Sequence, residues 1–88
     1  MKLHELKCVE PYFSDVKSGA KTFELRVNDR NFEIDDILVL IRHPLDPAHT
    51  KAHQQVLVQI TYMVQGAFEL PKDMCIMGIR RVYLELVK

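Results

Sequence analysis

Charge of one sign is the first thing this sequence lacks. Its 88 residues carry 12 Lys and Arg against 12 Asp and Glu, a formal net charge of zero. Neither part is basic: residues 1–30 hold six cations and five anions, and the remainder hold six and seven. Tight nonspecific binding to a duplex needs several phosphate contacts from Lys and Arg, so the balance argues against it. A local basic groove, or a pocket that reads one nucleotide, stays open. Cysteine is scarce too. Cys8 and Cys75 are the only two, and no CxxC spacing points to zinc. Both stand in apolar stretches, as buried thiols of a reducing compartment do; a disulfide requires their strands to be neighbours. No apolar run approaches the length of a membrane span, and Met1 to Lys7 has no apolar core of a secretory signal. A soluble, cytoplasmic chain with no membrane partner is expected. Repeats, low-complexity segments and linkers are all missing, and the length allows one thin core. One domain over 1–88 follows.

The 48% hydrophobic content belongs to a globular fold rather than a disordered chain. Leu3 to Val9 alternates loosely and reads as a strand of undecided buried face. Glu10-Pro11 opens a short helix, with proline at the first helical position. Tyr12, Phe13 and Val16 give it one apolar stripe, and Gly19 follows as a left-handed cap. Thr22 to Val27 reads as a strand with Phe23 and Leu25 on one face and Thr22, Glu24 and Arg26 on the other. Asn28 to Asn31 is a polar turn. Ile37 to Arg42 reads as a strand buried on both sides. His43 to His53 is a loop marked by Pro44 and Pro47. In Gln54 to Val64, the residues Val56, Val58, Ile60, Tyr62 and Val64 line one side. Gly66 to Asp73 is a second loop. Met74 to Val87 returns to strand character, with a bulge expected at Gly78 or at Arg80-Arg81. The fold class is therefore mainly β with one or two short helices. About five or six strands close, or nearly close, into a barrel, because closure removes reactive edges.

The strongest motif is Gly19-x-Lys21-x-x-Glu24-x-Arg26. It resembles the GxKxxExR signature of ASCH domains, within the PUA-like group, at all four positions. His4 to Lys7, Lys21 to Arg30, Asp36 to Leu40, Ile60 to Tyr62 and Ile76 to Ile79 are similar to a small ASCH-like family of bacterial and phage proteins. The sequence departs from that pattern twice. Asp35 stands where relatives usually carry glycine, and Ala48 to His53 replaces a Tyr-Thr-Gly-type segment. The resemblance implies a small β-barrel that binds RNA or a nucleotide around Gly19–Arg26.

Physical chemistry gives those residues roles of their own. Gly19 supplies the backbone turn. Lys21 offers an ammonium to a phosphate or carbonyl. Glu24 and Arg26 share a strand face and offer an acceptor pair and a donor fork for a base edge. Asn28 and Arg30 extend the groove, and Arg80 is a further candidate. The bland alternative is an exposed Glu–Arg pair with a solvated lysine, common on any strand.

A second function belongs to a different class. Some ASCH-like proteins are amidohydrolases that remove the acetyl group of N4-acetylcytidine, and they resemble one another in a lysine, a threonine three residues later and a distant glutamate. Lys21 matches the lysine, but Glu24 occupies the threonine's place. Thr22 is adjacent to Lys21, and alternation points it away from that lysine. Catalysis by that route is not expected; if the chain is an enzyme, Lys21 and Glu24 are its residues. A protein-interaction domain is the third reading. His43, His49, His53 and Asp46 fit no familiar metal spacing, so neither metal nor cofactor is expected. Tyr12 and Phe13 are expected to pack the helix, whereas Phe32, in a polar turn, is the better exposed stacking platform. Homodimerisation is open, with no face singled out.

Overall fold

In the computed structural model, which describes residues 1–83, strand character gathers at five places. β1 spans Leu3–Val9, β2 Phe23–Val27, β3 Ile37–His43, β4 Gln55–Gln65 and β5 Met74–Arg81. One helix, α1, covers Tyr12–Ser18, and a 3-10 turn at Lys51–Gln54 leads into β4. The strands form one sheet in the order β1-β3-β4-β5-β2, curled into a half-barrel. β1 runs parallel to β3; the other pairings are antiparallel. The fold is mainly β and barrel-like, as the pattern predicts. The expected strand over 74–87 ends at Arg81, and its positions 84–87 lie outside the described residues.

The core fills the concave side. Leu6 and Cys8 from β1, Leu38 and Leu40 from β3, Val56, Val58 and Ile60 from β4, and Met77 from β5 meet there. α1 adds Phe13 and Val16, the stripe its helical spacing predicts. Pro11 stands at the N-cap, just before the first helical residue, and offers no side-chain cap. The Glu10 carboxylate supplies it, accepting from the Ser14 N–H at 2.9 Å and from its hydroxyl at 2.7 Å. Gly19 closes the helix at φ +88°, and its N–H donates to Val16 O, a left-handed cap that favours glycine.

Alternation in β4 holds only as far as Ile60. There the register shifts, with Ile60 opposite Ile79 but Tyr62 opposite Gly78, so Thr61 is an extra residue. Beyond it Met63 packs on the core, and Tyr62, expected inside, turns out to solvent. The bulge expected at Gly78 or Arg80-Arg81 therefore lies in the partner strand. Gly78 faces it, and a Cβ there would sit 3.1 Å from Thr61 Oγ1.

Three buried side chains organise the loops. Phe32 is 4% exposed, which corrects the expectation of a stacking platform. Asn28 Oδ1 accepts the Phe32 N–H at 2.8 Å and turns the ring inward against His4, with ring centroids 4.8 Å apart. Asp36 accepts from His4 Nε2 and from the Lys2 and Glu33 N–H groups, all within 3.0 Å, and so ties the N-terminal end to the start of β3. A carboxylate only accepts, so Nε2 carries the proton. Burial alone pushes the Asp36 carboxyl up; the hydrogen bonds from His4, Lys2 and Glu33 outweigh it and hold the group below the ordinary aspartate range. Gln54 anchors the 43–53 loop, donating to Asp46 O and His49 O and accepting the Asp46 N–H. Asp35 adopts a glycine-like φ of +78°.

Candidate functional site

β1 and β2 are the two edges of the curled sheet, and they face each other across a cleft. Only side chains bridge them. Arg26 Nη2 donates to Lys7 O and Arg30 Nη1 to Glu5 O, each at 2.9 Å. Both guanidiniums thus cap carbonyls of an edge that no strand among the described residues covers. The cleft beside Arg26 has a volume of about 540 Å³, and Tyr12, Lys21, Phe23, Glu24 and Leu25 are among its walls. A second hollow of about 450 Å³ adjoins it, with Lys7, Arg26 and Arg30 in its lining. Arg26 belongs to both.

Glu24 stands at the centre. Backbone pairing of β2 with β5 puts Glu24 opposite Met77 and Arg26 opposite Cys75, so both side chains turn to the concave side. Glu24 is 3% exposed. Its Oε1 accepts from Lys21 Nζ at 2.7 Å and its Oε2 from Arg26 Nε at 2.9 Å. An ionised carboxylate this buried needs such partners. Lys21 Nζ also donates to Phe23 O at 2.7 Å and lies 5.7 Å from the Tyr12 ring centre and 4.8 Å from that of Phe23. The three side chains sum to one positive charge. Lys21, Glu24 and Arg26 converge on one concave surface, which the sequence motif predicts.

Their division of labour differs from the expected one. Both oxygens of Glu24 are occupied, so it holds Lys21 and Arg26 in place instead of offering itself to a base edge. The open edge of β2 supplies an alternative. Thr22 O accepts from Ile79 N in β5, so by alternation Phe23 and Leu25 turn their backbone groups to the cleft. Among the described residues Leu25 presents an unpaired N–H and C=O there, whereas the Phe23 carbonyl is taken by Lys21 Nζ.

The remaining expected residues fall in three places. Arg30 lines the adjoining hollow. Asn28 is a loop staple, holding Phe32 N–H and Gln65 Oε1. Arg80 lies on Gln59 at 2.7 Å, and it is not among the residues lining the cleft. Tyr12, expected to pack the helix, is half exposed at the cleft; Phe13, with Val16, does the packing. Helical spacing marks both rings as one stripe and cannot say which end of the stripe the sheet covers. Lys7 and Val9 were not singled out, because their place depends on which face of β1 is buried.

The cleft walls contain no serine or threonine. Thr22 is exposed, away from them. The Cys8 thiol lines the cleft, but burial, with the Glu24 charge adding to it, pushes its pKa up. It is a thiol at neutral pH, a weak nucleophile. Both cysteines are buried and free. Among the described residues no three His, Cys, Asp or Glu side chains cluster closely enough to hold a metal ion. No described helix is long and apolar enough to cross a membrane.

Residues 3–79 match the family described as a domain of unknown function, DUF3850, and the chain belongs to it. A search of curated proteins finds no match.

Proposed function

We propose that this DUF3850 chain binds single-stranded nucleic acid, RNA in particular, by taking one unpaired base into the cleft between β1 and β2. The observation that carries the reading is the arrangement around Glu24. One buried carboxylate fixes an ammonium and a guanidinium at the mouth of a cleft walled by two aromatic rings. Tyr12 and Phe23 offer ring faces on which a base stacks. The backbone N–H and C=O of Leu25 offer a donor and an acceptor for its edge. Arg26 and Arg30, side by side in the adjoining hollow, serve the flanking phosphates. Cleft residues of this kind suit unpaired RNA, whose bases splay out; the edges of duplex RNA are hidden in a narrow groove. The zero net charge keeps the contact local.

The same walls favour binding over amide hydrolysis. Glu24 stands where related hydrolases carry threonine, and its oxygens are both engaged. No other hydroxyl nucleophile of serine or threonine lines the cleft.

The test is a fluorescence titration of a short single-stranded RNA with wild type, Lys21→Ala and Arg26→Ala at two salt concentrations. With about three phosphate contacts, the logarithm of affinity falls with that of salt at a slope near ~2. Each substitution weakens binding about tenfold and flattens the slope. Binding that is absent, or indifferent to both salt and substitution, overturns the reading. Release of cytidine from N4-acetylcytidine, abolished by Glu24→Gln, would place the chain among the hydrolases instead.

A further inference from the structure

A third hollow, of about 350 Å³, lies between α1 and the 43–54 loop and shares no lining residue with the cleft or the hollow beside it. Lys17 enters it from α1, Arg42 from the end of β3, and Asp46, His49 and His53 from the loop and its 3-10 turn, over the buried Phe13 and Gln54. Gln54 sets its shape. The amide nitrogen donates to Asp46 O at 2.8 Å and to His49 O at 3.0 Å, and the amide oxygen accepts the Asp46 N–H at 2.6 Å. A loop pinned in this way needs little ordering to receive a ligand.

The lining holds more hydrogen-bond donors than acceptors. Lys17 Nζ spends one of its three protons, on His53 O at 3.2 Å. Arg42 gives Nε to Glu10 and one Nη1 proton to Pro44 O, and its Nη2 has no hydrogen-bond partner among the described residues. His49 and His53 each carry at least one ring N–H, and neither ring makes a hydrogen bond there; His49 Nε2 stays 3.9 Å from Asp46 Oδ2. The acceptors are largely spent. Gln54 Oε1 holds the Asp46 N–H, and Asp46 Oδ1 holds the Ala48 N–H at 2.9 Å. Lys17 and Arg42 outweigh Asp46 by one charge. Glu10 leans on Arg42 from outside the hollow at 3.2 Å, and Arg81 offsets it, donating to Lys17 O at 2.8 Å. The imidazoles do not serve a cation instead, because among the described residues no three His, Cys, Asp or Glu side chains stand close enough to hold a metal ion.

We propose that this hollow binds a phosphate group through Lys17, Arg42 and the two imidazoles. A group that only accepts hydrogen bonds and carries negative charge completes such a lining. Four donor side chains exceed what the two oxygens of a carboxylate can take, whereas a phosphate offers three or more. The volume is at the small end of ligand sites, so the phosphate enters with only the few atoms that carry it. Two sources share this chemistry, a small phosphomonoester and a backbone phosphate of a bound strand. The inference does not rest on the nucleic-acid reading of the cleft.

Amide chemical-shift titration of the full chain with inorganic phosphate tests it, with sodium chloride at matched ionic strength as the control. Shifts are expected at Lys17, Arg42 and residues 46–54, with a dissociation constant of about 1 mM, the scale a small ion reaches through a few charge-assisted hydrogen bonds. Lys17→Ala and Arg42→Gln each raise that constant about tenfold. Arg42 also holds Pro44 O, so the Lys17 variant carries the test if the loop loosens in the other. Arg80→Ala removes the same charge outside this lining and leaves the constant unchanged. Absence of shifts there up to about 50 mM phosphate overturns the inference. So do shifts that chloride reproduces, or that Arg80→Ala weakens as much as Lys17→Ala. Glycerol phosphate and a single-stranded oligoribonucleotide then separate the sources: the one that moves these amides at the lower concentration belongs to the ligand's class. Phosphate that neither can replace is an adventitious ion only, and that result also overturns the inference.

Discussion

The two faces of β2 invert the usual arrangement. The concave face carries Glu24 and Arg26, charged, paired and withdrawn from water. The convex face carries Phe23, Leu25 and Val27, apolar and about half exposed. Most strands of a half-buried sheet do the reverse. Charge on the inside of an edge strand has a physical purpose when it lines a cleft, because a buried carboxylate with two cationic partners is rigid. Apolar side chains on the outside of the same strand leave a surface that water covers poorly. The comparison teaches that one five-residue strand serves two surfaces, and that each residue's role depends on which side of the sheet it faces.

The largest expected effect comes from breaking the inner face. Glu24→Ala leaves Lys21 and Arg26 facing each other without the charge between them. Removing one member of a buried ion pair costs about 3 kcal/mol or more, and the partial exposure of the two cations keeps this example near the low end. Urea denaturation measures it; a loss below about 0.5 kcal/mol would mean that the cluster is not structural.

The second buried carboxylate sharpens the comparison, since Asp36 has hydrogen bonds but no route to the cleft. Asp36→Ala strands the His4 ring and two backbone N–H groups, and costs about 2 kcal/mol. The pH dependence has a definite sign. The folded-state pKa of Asp36 is lowered, so its stabilisation is present above the ordinary aspartate pKa. It is lost as pH falls through the lower, folded value. Thermal melting between pH 7 and pH 3 should show wild type losing more stability than Asp36→Asn, with the gap opening below about pH 4. Parallel curves would contradict the assignment.

The smallest effect belongs to the outer face. Val27→Thr keeps the β-branched shape and adds a hydroxyl in a half-exposed position, so stability should change by less than about 0.5 kcal/mol. A larger loss in the urea experiment would show that the convex side is packed against something within the same chain.

Much of this was legible in the residues, and the rest failed for identifiable reasons. Pro11 and Gly19 bracket the helix because each has a backbone conformation suited to one end. The unbroken run from Ile37 marks a buried strand, and the spacing of Glu24 and Arg26 places both on one face of β2, which Lys21 reaches from the segment before the strand. Alternation separates the two faces of a strand without saying which is inside, and for β2 the polar face is the inner one. In β4 the single extra residue at Thr61 reverses the phase and sends Tyr62 outward. Phe32 looks exposed among polar neighbours, yet it is those neighbours that turn it in: Asn28 holds its N–H and His4 meets its ring. Gln54 and Asp36 take their importance from loops distant in sequence, and no local pattern announces that.

The central claim is that the Glu24 cluster is the floor of a nucleic-acid cleft. The most direct test is amide chemical-shift mapping during titration with a single-stranded oligoribonucleotide. The account predicts shifts concentrated at Lys7 to Val9, Tyr12 and Lys21 to Val27, reduced by added salt and by Arg26→Ala. Shifts that leave those residues untouched, or that gather elsewhere on the half-barrel, would contradict it.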